Sequence, residues 1–267
     1  MLLKLDNISF FKEKSGIPVL DTVNFSIEAG GFLGIIGHIG SGKSVLLEIM
    51  AEIIFPHSGK LISKPGIKKC ILFQNSEDIF SQETVYDELA LGLRYMGEEA
   101  IREKVLNVLK HVCIDTAFLE RSPFSLSDGE KRRLALALFL LIEPDILFLD
   151  EPLQGLDPRN KKTVLELLKN LKKNTGITIV MVSSSLKDIL FYADTLLFLD
   201  AGKVLFYGHT EKCFEVPGFL DYFKNDIPVS IALYNRLLER GILKKNVFVL
   251  DEEKLISLIT STLKRKK

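Results

Sequence analysis

Two short stretches of this 267-residue chain carry residue types suited to handling a polyphosphate. In the first, Gly37-His38-Ile39-Gly40-Ser41-Gly42-Lys43-Ser44, the glycines let the backbone curl so that successive N–H groups face phosphate oxygens. Lys43 reaches the outer phosphates and the Ser44 hydroxyl is placed to ligate Mg²⁺. The second stretch, Ile146-Leu147-Phe148-Leu149-Asp150-Glu151, is an apolar run that ends in two carboxylates. Asp150 can orient the Mg²⁺ shell, and Glu151 can take a proton from, or position, a water that attacks the terminal phosphate. Either stretch alone is ambiguous, because an apolar strand ending in Asp-Glu is commonly only a surface turn. Together they define a site for nucleoside triphosphate with Mg²⁺.

A third run, Leu126-Ser127-Asp128-Gly129-Glu130-Lys131-Arg132-Arg133, opens a helix that continues Leu134-Ala135-Leu136-Ala137. Ser127 is a good N-cap and Glu130 stands three residues on, a capping-box spacing.

These groups need elements to hold them. Short strands are predicted at 3–9, 23–28 and 32–36, separated by turn-forming stretches at 14–16 and 29–31. The glycine loop thus joins a buried strand to a helix from Lys43 to about Ile54. A short strand at 70–73 leads into a helical block over 83–141, interrupted near Gly97 and at 122–128. Strands at 146–149, 177–182 and 195–199 then alternate with helices at 158–173 and 186–192, a rhythm that specifies a parallel sheet. Asp157 caps the helix at Pro158, and Gly176 marks its exit. From about 215 the alternation stops; helices are expected at 228–240 and from 251 to about 263, before the basic tail 264–267, read as a solvated end.

The order of a glutamine at Gln74, the Leu126–Glu130 run and the strand ending at Asp150 resembles the ABC ATPase family over about residues 3–212. That resemblance implies an α/β P-loop NTPase fold: a mixed core sheet, an N-terminal antiparallel β subdomain, a helical subdomain inserted at about 75–143, and a small C-terminal helical extension. It divides the chain into an ATPase domain at 1–214 and an extension at 215–267 that pairs subunits. It further implies that two such domains stack head to tail, with each ATP between one chain's glycine loop (37–44, with Val45 following) and the other's signature helix. Ser127, Asp128, Gly129 and Glu130 would then meet the partner's nucleotide. Gln74 would sense Mg²⁺ and the water, and Asp157 would lie at the dimer seam. The loop from Phe73 to Phe80 and the stretch from Glu83 to Leu93 look most like ATPase subunits of energy-coupling factor transporters, which import vitamins or transition-metal ions through membrane coupling and substrate-binding subunits. A chain of that kind sits on the cytoplasmic face of the membrane.

The sequence departs from the family pattern in its catalytic contacts. Val182-Ser183-Ser184-Ser185 puts Ser184 where a histidine is usual, which removes a γ-phosphate contact from the site held by this chain's own loop. Val45 replaces a hydroxyl residue, and Asp128-Gly129-Glu130 replaces Gly-Gly-Gln. Lys12 falls where an adenine-stacking aromatic is expected, leaving Phe10 or Phe11 as candidates. Nucleotide binding is therefore expected to survive better than turnover, as in the less active half of a heterodimer; a binding-only regulatory subunit is the rival. A soluble ABC protein of translation or repair would carry two fused cassettes or a long coiled coil, and the sequence shows neither.

Composition excludes other classes. Thirty-five basic residues balance 35 acidic ones, so no global field recruits nucleic acid. The cysteines Cys70, Cys113 and Cys213 have no metal or redox spacing and are expected as packing residues. The N-terminus lacks the continuous apolar stretch of a signal peptide, and the longest apolar run, 134–142, is far short of the ~20 residues a membrane span requires.

Overall fold

The computed structural model describes residues 1–12, 16–74, 79–224, 226–243 and 252–264. Parts of the turn at 14–16, the loop at 75–78, the predicted helix start at 251 and the tail at 265–267 fall outside the described residues.

Three runs that are continuously apolar in sequence become fully buried strands: β3 (Phe32–Ile36), β6 (Ile146–Asp150) and β7 (Thr178–Ser183). Parallel strands covered on both faces need this pattern. With β5 (Lys69–Leu72), β8 (Thr195–Asp200) and β9 (Lys203–His209) they form one six-stranded sheet in the order β5-β6-β7-β3-β8-β9. Every neighbouring pair is parallel except β8 with β9. A second sheet of three antiparallel strands, ordered β2-β1-β4, is built from β1 (Leu3–Phe11), β2 (Pro18–Ile27) and β4 (Ser58–Ser63).

Because successive strand residues point to opposite faces, the core divides in two across the six-stranded sheet. Phe32, Ile36, Leu147, Leu149, Ile179 and Met181 pack on one face with helices α2 (Val85–Tyr95), α3 (Ile101–His111), α4 (Asp128–Leu140) and α5 (Pro158–Thr175). Leu33, Ile35, Phe148, Val180 and Val182 pack on the other with α1 (Lys43–Met50) and the antiparallel sheet. Each such buried side chain contributes about 1.5–3 kcal/mol over its exposed state.

Several sequence expectations need correction. Helix α1 stops at Met50 rather than Ile54, because Glu52 takes a left-handed conformation (φ 62°) ahead of Pro56. Strands β4 and β9 are additions; both lie at sheet edges, and none of their residues is fully buried. Of the three cysteines, Cys70 and Cys213 are buried as expected, but Cys113 is exposed: it occupies the left-handed position (φ 55°) that follows α3.

The C-terminal part runs through α7 (Phe219–Tyr222), α8 (Val229–Glu239) and α9 (Glu252–Lys264), after the short α6 (Leu186–Leu190). Phe219, Phe223 and Ile231 join the large core, whereas Tyr234, Leu243 and Leu255 form a small cluster of their own. Among the described residues no helix is long and apolar enough to cross a membrane.

Candidate nucleotide site

The glycine loop follows β3 and ends on α1. Gly37 and Gly42 have no room for a side chain: an added Cβ would stand 2.0 Å from the Leu199 carbonyl oxygen and 2.6 Å from that of Val19, and Gly42 also holds φ 100°. Lys43 is buried, and its Nζ donates to the carbonyls of Gly37 at 2.8 Å and His38 at 2.9 Å, so the ammonium lies folded under the loop. Burial pulls this ammonium below its ordinary value, while Glu151 and then Asp150 pull it back up. His38, Ile39 and Gly40 form the exposed crest of the loop, Ser44 is exposed at the start of α1, and Val45 turns partly into the core.

Strand β7 lies between β3 and β6, and the ends of β6 and β7 bring Asp150, Glu151 and Ser184 to the same rim as the glycine loop. Burial raises the Asp150 carboxyl above its ordinary value, opposed by a hydrogen bond from Ser44 and by Lys43. Burial likewise raises Glu151, opposed by the Ser184 backbone, Lys43 and the Ser184 hydroxyl. The Ser184 hydroxyl donates to Glu151 Oε2 at 3.4 Å. Glu151 itself is left-handed (φ 46°), which for a non-glycine residue costs roughly 1–2 kcal/mol, and its N–H donates to the Val182 carbonyl at 3.1 Å.

Among the described residues, two buried oxygens, Ser41 Oγ and Asp150 Oδ1, have no hydrogen-bond partner. Unpartnered buried polar atoms are costly, so they are expected where a ligand completes them. The Ser44 hydroxyl, hydrogen-bonded to the Asp150 carboxylate, makes with it a hard-oxygen donor set of the kind Mg²⁺ takes, sharing the remaining positions with phosphates and water. These residues fit the metal.

The other predicted residues surround this rim. Gln74 is exposed and its side-chain amide hydrogen-bonds the Gln154 side chain, while its carbonyl accepts from Arg132 at 2.7 Å. Ser127 caps α4, and both its N–H (2.9 Å) and its hydroxyl (2.7 Å) donate to Glu130 Oε2. Asp128 is exposed. Gly129 is buried against Asn160, whose side chain would stand 2.4 Å from an added Cβ. Asp157 accepts from the N–H groups of Arg159 (2.8 Å) and Asn160 (3.0 Å), and from the Asn160 side chain at 2.6 Å. Asn160 thus joins Asp157 to the signature helix, and Arg132 joins that helix to Gln74. Sequence reasoning singled out neither link. Phe10 packs partly into the core, and Phe11, about a third exposed, sits edge-on to His57 with centroids 5.7 Å apart.

The Ser127–Glu130 pair has a measurable consequence. The Ser127 hydroxyl first, and its N–H second, hold Glu130 below the usual carboxylate range. A lowered folded value means stabilisation that is complete above the unfolded pKa of ~4.3 and is lost as pH falls through the folded one. Glu130→Gln should therefore flatten the acid side of the Tm–pH curve below about pH 5, by about 1–2 °C. Thermal melts across that range check this, and an equally steep variant contradicts it.

A parallel sheet whose strand ends carry a glycine loop, a buried lysine and two carboxylates defines a P-loop nucleotide-binding ATPase. Comparison with known proteins agrees: the family profile described as ABC transporter matches residues 20–154. The chain is 36% identical over 257 residues to the energy-coupling factor transporter ATP-binding protein EcfA2 of Acetivibrio thermocellus, covering 90% of this chain and 91% of that one. It is 33% identical to the corresponding EcfA3 of Oenococcus oeni, over 96% and 95% of the two chains. Among solved structures, cbiO1 from Clostridium perfringens, part of the ABC transporter complex cbiONQ, superposes with a TM-score of 0.76 at 26% identity, over 89% and 98% of the chains. A dimeric ATP-binding cassette in a post-hydrolysis state, bound to ADP and phosphate, superposes with a TM-score of 0.68 at 26% identity, over 78% and 99%. The chain belongs to the ABC transporter family and is an ATP-binding subunit of such a transporter. Its relatives place it beside the energy-coupling factor ATPases.

Proposed function

We propose that this chain is an ATP-binding and ATP-hydrolysing subunit of an energy-coupling factor importer, driving uptake of a vitamin or a transition-metal ion. The observation that carries the reading is the convergence of Lys43, Asp150, Glu151 and Ser184 on the ends of three adjacent parallel strands. In this role the N–H groups of 37–44 cradle the phosphates, and Lys43 leaves its loop carbonyls to meet the outer ones. Ser44 and Asp150, with Gln74, would hold Mg²⁺, which would supply neutralisation of the phosphate charge. Glu151, whose proton affinity burial raises and which accepts from the Ser184 hydroxyl, orients the attacking water and takes its proton.

The site is half of a pair. Ser127, Gly129 and the carboxylates Asp128 and Glu130 face a second subunit's nucleotide, and Asp157 lies at the seam. The Ser127 hydroxyl is already given to Glu130, so this signature presents a weaker anion site than one ending in glutamine. With Ser184 unable to supply an imidazole's reach or charge, we infer a heterodimer in which this chain's own loop holds ATP and turns it over slowly. The C-terminal extension pairs the subunits, and membrane coupling and substrate-binding proteins dock near Gln74, placing the complex on the cytoplasmic face of the membrane.

Gentle extraction of a tagged chain from membranes should bring down a second ABC ATPase with a histidine at the Ser184 position, together with polytopic membrane proteins. Recovery of the chain as a homodimer without membrane proteins contradicts the assignment. Ser184 also favours a second reading, a binding-only subunit. In that case ADP release from the mixed dimer is the same for wild type and Glu151→Gln; an ATPase loses release from this chain's site.

A further inference from the structure

One short segment of the C-terminal part reaches both sides of the nucleotide site. The Tyr222 ring stacks on the His38 imidazole at the crest of the glycine loop, with centroids 4.0 Å apart and planes 17° from parallel. The Tyr222 hydroxyl accepts from the His38 N–H at 3.4 Å and donates to Asp200 Oδ1, at the end of β8, at 2.7 Å. Phe198 and Phe223 pack on the tyrosine ring, with centroids 4.6 and 4.8 Å away, and Phe219 packs on both phenylalanines. Burial, and then the bond to Asp200, push the phenol up to about 12, so it stays a donor throughout the neutral range.

Four residues on, the Asp226 N–H donates to the Phe223 carbonyl (2.7 Å), and the Asp226 carboxylate meets the segment just past Ser184. Its carboxylate accepts from the Leu186 N–H, from the Ser185 hydroxyl at 3.4 Å and from the Lys187 N–H at 3.4 Å. It also pairs with the Lys187 ammonium at 3.7 Å. The segments after β3 and β7, which carry Lys43 and Ser184, are thus gripped by Tyr222, at the end of α7, and by Asp226, four residues on.

We propose that Tyr222 and Asp226 are positioning residues for the ATP reaction: Tyr222 sets the crest of the phosphate loop, and Asp226 sets the Ser184 segment against Glu151. Movement of the C-terminal extension is thereby transmitted to ATP affinity and turnover at this chain's own site. This rests on the nucleotide site assigned above. The two grips predict different kinetic signatures, since the loop crest contributes to binding and the Ser184 segment to the attack on phosphate.

The test uses the full chain as a dimer of this chain alone, where both sites are its own, with a fluorescent ATP analogue for Kd, steady-state ATPase for KM and kcat, and thermal melts. Tyr222→Leu should raise Kd and KM about tenfold with kcat within about twofold, and Tyr222→Phe, which keeps the stack, should recover most of that loss. Asp226→Ala should lower kcat about threefold or more at unchanged KM, and Asp226→Asn, which still accepts from the backbone, should restore it. Should Tyr222→Leu not fold, His38→Ala removes the stack from the loop side and carries the same expectation for Kd. Variants that lower Tm yet leave Kd, KM and kcat within twofold of wild type overturn the proposal. Lys43→Met serves as the reference: if it too binds normally, the site assignment fails; if only it loses binding, the positioning role alone fails.

Discussion

Replacing Ser184 with histidine should raise ATP turnover by a dimer made of this chain alone by roughly 100-fold, the scale on which one aimed electrostatic donor acts in a transition state. Ser184 follows the buried end of β7, is itself exposed, and reaches Glu151 Oε2 at 3.4 Å. A longer imidazole therefore has solvent to grow into and already starts beside the catalytic carboxylate. The change should act on kcat and leave the affinity for ATP nearly unchanged, because the phosphate loop and Lys43 are untouched. Steady-state kinetics of the purified variant check this. A gain confined to KM, or no gain at all, contradicts the role given to position 184.

Lys43→Met should weaken ATP binding by ~10²-fold or more, the loss typical of leaving buried charges without their partner. The ammonium is buried and is the cation that opposes both Asp150 and Glu151. Without it, two burial-raised carboxylates face the triphosphate alone, and the carbonyls of Gly37 and His38 lose their donor. Titration with a fluorescent ATP analogue measures the effect. Binding within threefold of wild type would mean that the phosphates lie elsewhere.

What was legible in the sequence was whatever one stretch of chain settles alone. The buried strands at 32–36 and 146–150 announce themselves by unbroken apolar runs, and each ends in the chemistry it presents. Asp157 with Pro158, and Ser127 with Glu130, cap helices through neighbours three residues away. The ABC resemblance supplied the order in which such pieces assemble. Long-range contacts were not legible. Tyr222 is 184 residues from His38, and Arg132 is 58 from Gln74, separations that no local pattern encodes. Asn160 reads in sequence as one more polar residue in a first helical turn; only the packing of Gly129 against it shows that α4 and α5 meet there. The end of α1 was misplaced because its apolar residues continue past Met50, whereas the chain turns at Glu52. Cys113 was misjudged by residue type, since the left-handed turn after α3 sets its exposure.

The most direct test of the shared, asymmetric site is the ATP turnover of the purified homodimer beside that of the mixed dimer with its partner ATPase, at equal concentrations of this chain and saturating Mg-ATP. The heterodimer with one histidine-bearing site is expected to turn over far faster, and the homodimer to bind ATP while hydrolysing it slowly. A homodimer that hydrolyses ATP as fast as the mixed dimer contradicts the account.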